Sequence, residues 1–340
     1  MFKKTLNIST SPHIVKGLGT NDIMRNVVWA MLPTAFFAVY AFGLSALLLL
    51  VTSTAACVLT EYFLAKKSKQ PSTISDWSAV ITGLLLGLTL PPNFPLWMAF
   101  LGGIVSIALG KFVFGGLGYN VFNPALVGRA FLQAAFPVAI TTWFPVFSPD
   151  RFTTVSMATF TLPFMKPATD GFTGATPLAA FKFDHVSTGT YDLAMGFITG
   201  STGETCALLI ILGGIYLAVR KMMNWHIPVS ILATVYVLTA ILHYSNPEKY
   251  PTPEFMLFSG GLMLGAVFMA TDMVGSPITT AGVWIYGALI GILVVVIRIW
   301  GGLPEGVMYA ILLANAVSLH LDNLIKPRVY GTTKTLDIRL

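Results

Sequence analysis

The segment Asp170-Gly-Phe-Thr-Gly-Ala-Thr176-Pro-Leu concentrates the covalent chemistry of this chain. Thr176 offers a hydroxyl, a group that forms phosphoesters. Gly174 has no side chain and Ala175 only a methyl, so a modifying enzyme and a phosphate can approach that hydroxyl closely on a backbone free to bend. Thr-Gly-Ala-Thr is also sound turn chemistry, and that plainer reading stands beside the first. What separates them is position in the chain, and position depends on topology.

With 340 residues, 55% of them hydrophobic and only 10% charged, the chain is too apolar for an ordinary water-soluble protein. Its mean hydropathy of +0.76 agrees. The composition reads as an all-α polytopic membrane protein, with the lipid bilayer as its solvent. Apolar stretches of spanning length run approximately over 27–42, 44–65, 77–91, 95–111, 121–145, 205–220, 227–244, 254–271, 279–299 and 303–323, which predicts about ten transmembrane helices. The polar start, 1–26, carries Lys3, Lys4, Lys16 and Arg25 without a small-residue cleavage site after the first apolar stretch, so a cleaved signal peptide is not expected.

Assigning the loops alternately to two sides, with the N-terminus cytoplasmic, places 15 of the 20 Lys and Arg residues inside, Lys111 and Arg129 among them. Arg151, Lys166, Lys182, Lys249 and Arg298 fall outside, beside Asp150, Asp170, Asp184, Asp192, Glu204, Glu248 and Glu254. Positive charge collects on the cytoplasmic side, so both termini are expected there and the loop 146–204, with Thr176 in it, outside. The net charge of +6 is then a feature of topology, and no nucleic acid is needed to explain it.

Gly83-Leu-Leu-Leu-Gly87 recurs as Gly261-Leu-Met-Leu-Gly265, an offset of 178 residues. Pro124 to Leu132 aligns with Pro304 to Leu312 at an offset of 180, sharing Pro, Val, Ala and Leu at matching positions. Two matches at nearly one offset predict a duplication; chance recurrence in Leu/Gly-rich helices is the simpler explanation of either alone. Five helices per copy force opposite orientations across the membrane. The expected organisation is therefore a cytoplasmic segment 1–26, a first five-helix repeat 27–145, the extracytoplasmic loop 146–204, a second, inverted repeat 205–323 and a cytoplasmic tail 324–340. Pro91-Pro92-Asn93 and Thr271-Asp272 interrupt corresponding helices, either at a surface loop or where protein or a cavity satisfies non-helical backbone.

Other chemistry is sparse. Cys57 and Cys206 cannot supply the four thiolates of an iron–sulfur cluster from this chain alone. His13, His185, His226, His243 and His320 show no ligand spacing, so no metal site is expected. Intramembrane charges stand out because an ionisable group in hydrocarbon is costly unless paired or wetted. Glu305 reads as an acid in the first turn of a helix, Arg298 as snorkelling to the outer interface, and Arg129 as snorkelling inward or pairing with an acid. Asp272, after a helix interruption, is the candidate for cation or proton handling.

Asp170 to Thr176 also matches D-x-x-[ST]-G-A-[ST], the motif through which flavin mononucleotide (FMN) is attached by its phosphate, with Asp170, Thr173, Gly174 and Ala175 as the surrounding pattern. With Ser11-Pro12-His13, the run Gly110 to Leu132 containing Gly-Lys-Phe-Val-Phe-Gly-Gly and Phe-Asn-Pro-Ala-Leu-Val-Gly-Arg-Ala-Phe, Gly265 to Asp272, and Pro304-Glu-Gly-Val307, the chain resembles the NqrB/RnfD family over essentially its whole length, and most closely the RnfD branch. That resemblance implies a subunit of a multi-subunit oxidoreductase, the Rnf complex, coupling electron flow between ferredoxin and NAD to Na+ or H+ movement across the bacterial cytoplasmic (inner) membrane. It implies covalent FMN at Thr176, added by an ApbE-type flavin transferase outside the membrane, and partners that include a membrane-anchored flavin subunit on the outer face and integral membrane subunits. It further implies a noncovalent riboflavin, carried by motif match onto Asn120 and Asn123. Their amides offer the donors and acceptors an isoalloxazine edge requires, and i, i+3 spacing can put both on one helical face. Asn123-Pro124 is equally a helix cap, and the two roles are compatible. The NqrB branch, a subunit of a Na+-translocating NADH:quinone oxidoreductase, is the near alternative. An inverted-repeat channel or secondary transporter is the alternative of another class.

Overall fold

The computed structural model describes residues 19–68, 74–163, 165, 175–204 and 206–327. Among these every regular element is helical. Five helices are long and apolar enough to cross a bilayer: α1 (Thr20–Phe42), α2 (Leu44–Ser68), α10 (His226–Ser245), α13 (Thr280–Trp300) and α14 (Val307–Leu324). At 1.5 Å per residue they reach about 27–38 Å, which matches a hydrocarbon layer of about 30 Å.

The remaining apolar stretches form shorter helices. α3 (Ser78–Thr89) and α9 (Ala207–Val219) are about 18–20 Å long. α4 (Leu96–Ile107) runs on as a π-helical turn, Ala108–Phe112. Residues 121–145, expected as one span, start only at Pro124 and divide into α5 (Pro124–Ala135) and α6 (Pro137–Ile140), because Pro137 has no N–H with which to continue the helix. Two short helices, α7 (Pro177–Asp184) and α8 (Thr190–Met195), lie in the long loop. Residues 254–271 become α11 (Pro253–Phe258), the single turn α12 (Leu262–Leu264) and a π-helical turn, Gly265–Met269. This stretch breaks at Ser259–Gly261 as well as ending near Thr271: Gly260 has φ +65°, which reverses the chain at little cost only for glycine.

Broken helices leave carbonyls and amides that lipid cannot satisfy, so protein must. At the end of α3, Thr202 Oγ1 lies 2.6 Å from Gly87 O and 2.7 Å from Leu90 O and can donate its one hydrogen to either, while Thr202 N donates to Leu90 O (3.1 Å) and Gly203 N to Leu88 O (2.6 Å). At the second break, Arg298 donates to Met256 O (2.7 Å) and Ser259 O (2.9 Å), while Gly261 N donates to the Glu305 carboxylate at 3.1 Å. Arg298 is thus buried, 4% exposed, and does not snorkel to the interface; backbone carbonyls and Glu305 hold it inside.

Packing runs in parallel in the two halves. α2 packs on α3 and α4, and α10 on α11 and α13; α4 packs on α5 as α13 does on α14; α1 meets α9, and α5 meets α14. The α2–α3 contact depends on Gly83: a Cβ there would lie 2.4 Å from Thr54 Cα, and Ser53 Oγ donates to Gly83 O at 2.9 Å. Small residues of this kind let membrane helices approach to backbone contact.

Candidate functional site

Thr176 sits at the head of α7, with extended backbone (φ −67°, ψ 153°) and Pro177 at the first helical position. Its Oγ1 accepts a hydrogen bond from Ala179 N at 3.2 Å, an N-cap that satisfies an amide the helix itself leaves unpaired. Ala175 is exposed and Thr176 only 8% exposed; Asp170, Thr173 and Gly174 lie outside the described residues.

The position of α7 is set from both ends. Leu178 is buried against the Gly260 break, and Phe181 packs on Phe255 of α11 with ring centroids 5.4 Å apart and planes tilted by 45°. Lys182 Nζ donates to Arg298 O (3.0 Å), Gly301 O and Leu303 O (3.0 Å), the carbonyls that close α13. Burial draws the Lys182 ammonium below the ordinary lysine range.

Thr176 lines a cavity of about 420 Å³ with Arg129, Gln133, Trp143, Phe183, Glu305 and Tyr309 among its walls. That volume lies within the range of about 300–1,000 Å³ usual for ligand pockets. Three aromatic rings for a flat cofactor ring, with an arginine and an amide as donors for a phosphate, suit a phosphorylated aromatic cofactor such as FMN, the Glu305 carboxylate on the same wall being paired with Arg298.

Beneath the cavity four charged side chains converge on the break at Gly260–Gly261. Arg298 and Glu305 pair at 3.2 Å. A Cβ placed on Gly261 would lie 3.5 Å from Glu204 Oε1, 3.8 Å from Glu305 Oε1 and 4.0 Å from Arg129 Nη1. Arg129, which its place in the sequence puts with the inner charges, lies halfway along α5, which begins only at Pro124, and lines the same cavity as Thr176. Glu305 precedes α14, which starts at Val307, and caps the α12 turn instead of its own helix. Glu204, in sequence one more outer-side acid, belongs to this buried group; its glycine-flanked place before an apolar stretch is the one signal that points to it.

A second cavity, of about 120 Å³, lies at the other end of α5 and is lined by Met24, Ser78, Lys111, Asn120, Asn123 and Asp272 among others. Asn123 Oδ1 accepts from Ala125 N (3.0 Å), capping α5, and its Nδ2 donates to Met269 O (3.1 Å). Asn120 Nδ2 donates to Asp272 Oδ2 at 3.2 Å, and Asp272 Oδ1 accepts from Val274 N at 3.2 Å. The structure therefore joins in one place the asparagines and the aspartate that the sequence presents as separate candidates. It adds a buried pair that sequence reasoning misses: Lys111 Nζ lies 2.7 Å from Glu61 Oε1 and 2.8 Å from Ser78 Oγ. A glutamate inside the apolar stretch 44–65 and a lysine at the end of 95–111 are its signals. The polar groups suit an isoalloxazine edge in kind, but both amide atoms of Asn123 are engaged, and the volume is below about 300 Å³, the lower end for ligand pockets. Riboflavin enters here only if the surrounding side chains move.

Along α5 the lining of one cavity ends at Pro124 and that of the other begins at Arg129, a rise of about 8 Å.

Residues 7–331 match the family model described as the NQR2, RnfD, RnfE family. The chain is 40% identical over 342 residues to the D subunit of the proton-translocating ferredoxin:NAD(+) oxidoreductase complex of Clostridium ljungdahlii, covering 98% of both chains. It is 39% identical over 338 residues to the D subunit of the Na(+)-translocating ferredoxin:NAD(+) oxidoreductase complex of Acetobacterium woodii, again covering 98% of both. It is 37% identical to the D subunit of the ion-translocating oxidoreductase complex of Aliivibrio salmonicida, covering 96% of this chain and 99% of that one.

Proposed function

This chain belongs to the NQR2, RnfD, RnfE family, and from that premise we propose that it is the flavin-carrying, electron-transferring membrane subunit of an Rnf complex that couples ferredoxin/NAD redox chemistry to ion translocation. The observation that carries the reading is the hydroxyl of Thr176, held at the head of α7 on the wall of a ligand-sized cavity.

In this proposal FMN is joined through its phosphate to Thr176 by an ApbE-type transferase. The flavin supplies one- and two-electron redox chemistry when bound. Thr176 fixes it covalently, so its presence near a partner does not depend on concentration. α7, pinned through Lys182 and Phe181, restricts where the anchored end can go. Trp143, Phe183 and Tyr309 offer apolar faces that displace water from the cavity. Asn120 and Asn123 form the proposed riboflavin site, and Asp272, hydrogen-bonded to Asn120, the proposed ion-handling group.

The proposed setting is the bacterial cytoplasmic membrane, with about ten membrane-embedded segments in two inverted five-helix repeats, 27–145 and 205–323, both termini cytoplasmic and the loop 146–204 outside. The matched packing of α2 on α4 and α10 on α13 supports the repeat, since a duplication repeats its neighbours as well as its pattern. The coupling ion is Na+ or H+: a proton-translocating and a Na(+)-translocating relative are equally similar to this chain, so overall similarity favours neither.

Peptide mass spectrometry and in-gel ultraviolet fluorescence of the denatured protein from its source cells test the reading. The expected result is an adduct of FMN less water on Thr176, absent in Thr176→Val together with electron transfer by the assembled complex. Bare Thr176 in cells with an active transferase, or full electron transfer by Thr176→Val, refutes it, and flux through the isolated chain in liposomes then tests a transporter. Co-purification with a ferredoxin-linked cluster subunit is expected; an NADH-oxidising FAD subunit with quinone reduction would assign the chain to the Nqr complex.

A further inference from the structure

We propose that Arg129 and the N-terminus of α7 together form a seat for the phosphodiester on Thr176, so that flavinylation neutralises a buried cation. The inference rests on the reading of Thr176 as the flavin acceptor and goes beyond it by assigning the group that receives the charge.

Two independent features meet in the cavity. The first is the helix start. Pro177 has no N–H, Ala179 N donates to Thr176 Oγ1 and Ala180 N to Thr176 O, so an ester on Oγ1 places an anionic phosphate beside the Leu178 amide, the one N–H of the first turn that Thr176 does not take up, and beside the positive end of the α7 dipole. The second is Arg129. It is 8% exposed, lines the same cavity, and its buried Nε has no hydrogen-bond partner. Among the described residues the ion pairs within 4.0 Å are Arg25–Asp22, Lys111–Glu61 and Arg298–Glu305, so no carboxylate oxygen lies that close to the Arg129 guanidinium. Glu305, the acid on the cavity wall, bonds to Arg298 and to Gly261 N and acts on Arg129 only at longer range. Glu204, whose Oε1 lies near the same point at Gly261, likewise compensates Arg129 only at longer range.

A phosphodiester brings one negative charge and two free oxygens, which match the planar fork of a guanidinium. Buried charge without a close partner is costly, and a partner supplied later recovers that cost. The covalent modification and the arginine are therefore energetically coupled.

The coupling is measured in full-length chain, within the complex, by thermal unfolding at one scan rate and one salt concentration. Four forms are compared: wild type and Arg129→Gln, each made with and without the flavin transferase, with mass spectrometry recording the adduct. Flavinylation is expected to raise the wild-type midpoint by about 2 °C or more, and to give no rise in Arg129→Gln. Arg129→Lys keeps part of the rise. Glu204→Gln, which removes part of that longer-range compensation, enlarges it, and this arm stands even where Arg129→Gln fails to fold. Equal rises in wild type and Arg129→Gln, or an unchanged rise in Glu204→Gln, overturn the seat while leaving the acceptor role intact. Bare Thr176 in the presence of transferase overturns both.

Discussion

Replacing Arg298 by methionine removes the group that closes the second helix break. The guanidinium donates to Met256 O at 2.7 Å, to Ser259 O at 2.9 Å and to Glu305 Oε1 at 3.2 Å, and its side chain is 1% exposed. Methionine replaces much of the volume but none of the bonds. Breaking a buried ion pair by deleting one partner costs about 3–5 kcal/mol; because the Glu305 side chain is 21% exposed, the lower end, about 3 kcal/mol, applies. Two orphaned carbonyls add about 1–3 kcal/mol each. The expected loss is about 5–9 kcal/mol, comparable with the whole stability of an ordinary domain. Adding Glu305→Gln removes the uncompensated charge and keeps an acceptor for Gly261 N, so the double variant should recover about 3 kcal/mol relative to Arg298→Met alone. The assay is dodecyl-sulfate titration of the full chain in mild detergent, followed by tryptophan fluorescence. A double variant no more stable than Arg298→Met, or a single-variant cost under about 1 kcal/mol, would refute the assignment of Arg298 as the cap of this break.

Gly83→Ala should lower the same unfolding midpoint by the equivalent of about 1–3 kcal/mol, because the new Cβ meets Thr54 backbone at 2.4 Å and the helices must part; an unchanged midpoint counts against close α2–α3 packing. Lys182→Met removes donors to three carbonyls at a partly exposed site, a loss of about 1–2 kcal/mol confined to the docking of α7. In-gel flavin fluorescence per chain should fall while the global midpoint barely moves; full flavinylation would mean that α7 needs no pin.

Membrane residence and helical class are legible because hydropathy is a local property that adds along the chain, and 20 apolar residues have few alternatives to a helix in lipid. The Thr176 motif is legible for a similar reason: its chemistry lies within seven consecutive residues. Family membership follows from equally local strings such as Phe122-Asn-Pro-Ala-Leu-Val-Gly-Arg-Ala-Phe131. Local reasoning reaches its end at the charges. Judged only by the apolar run around each, Arg298 snorkels and Arg129 is an inner residue. What decides their roles is a carbonyl 42 positions away in the first case and a cavity wall built from α5, α7 and α14 in the second. Asn120 and Asp272, 152 positions apart, meet only once the two halves pack together. The sequence alone therefore determined the solvent, the helical architecture and the motif that makes Thr176 the proposed acceptor, all set by short-range pattern. Which charges are paired, which helix breaks, and which cation faces Thr176 were decided by tertiary structure, because in a low-dielectric interior a charge is stabilised by whatever partner the fold brings within a few ångströms, at any distance along the chain.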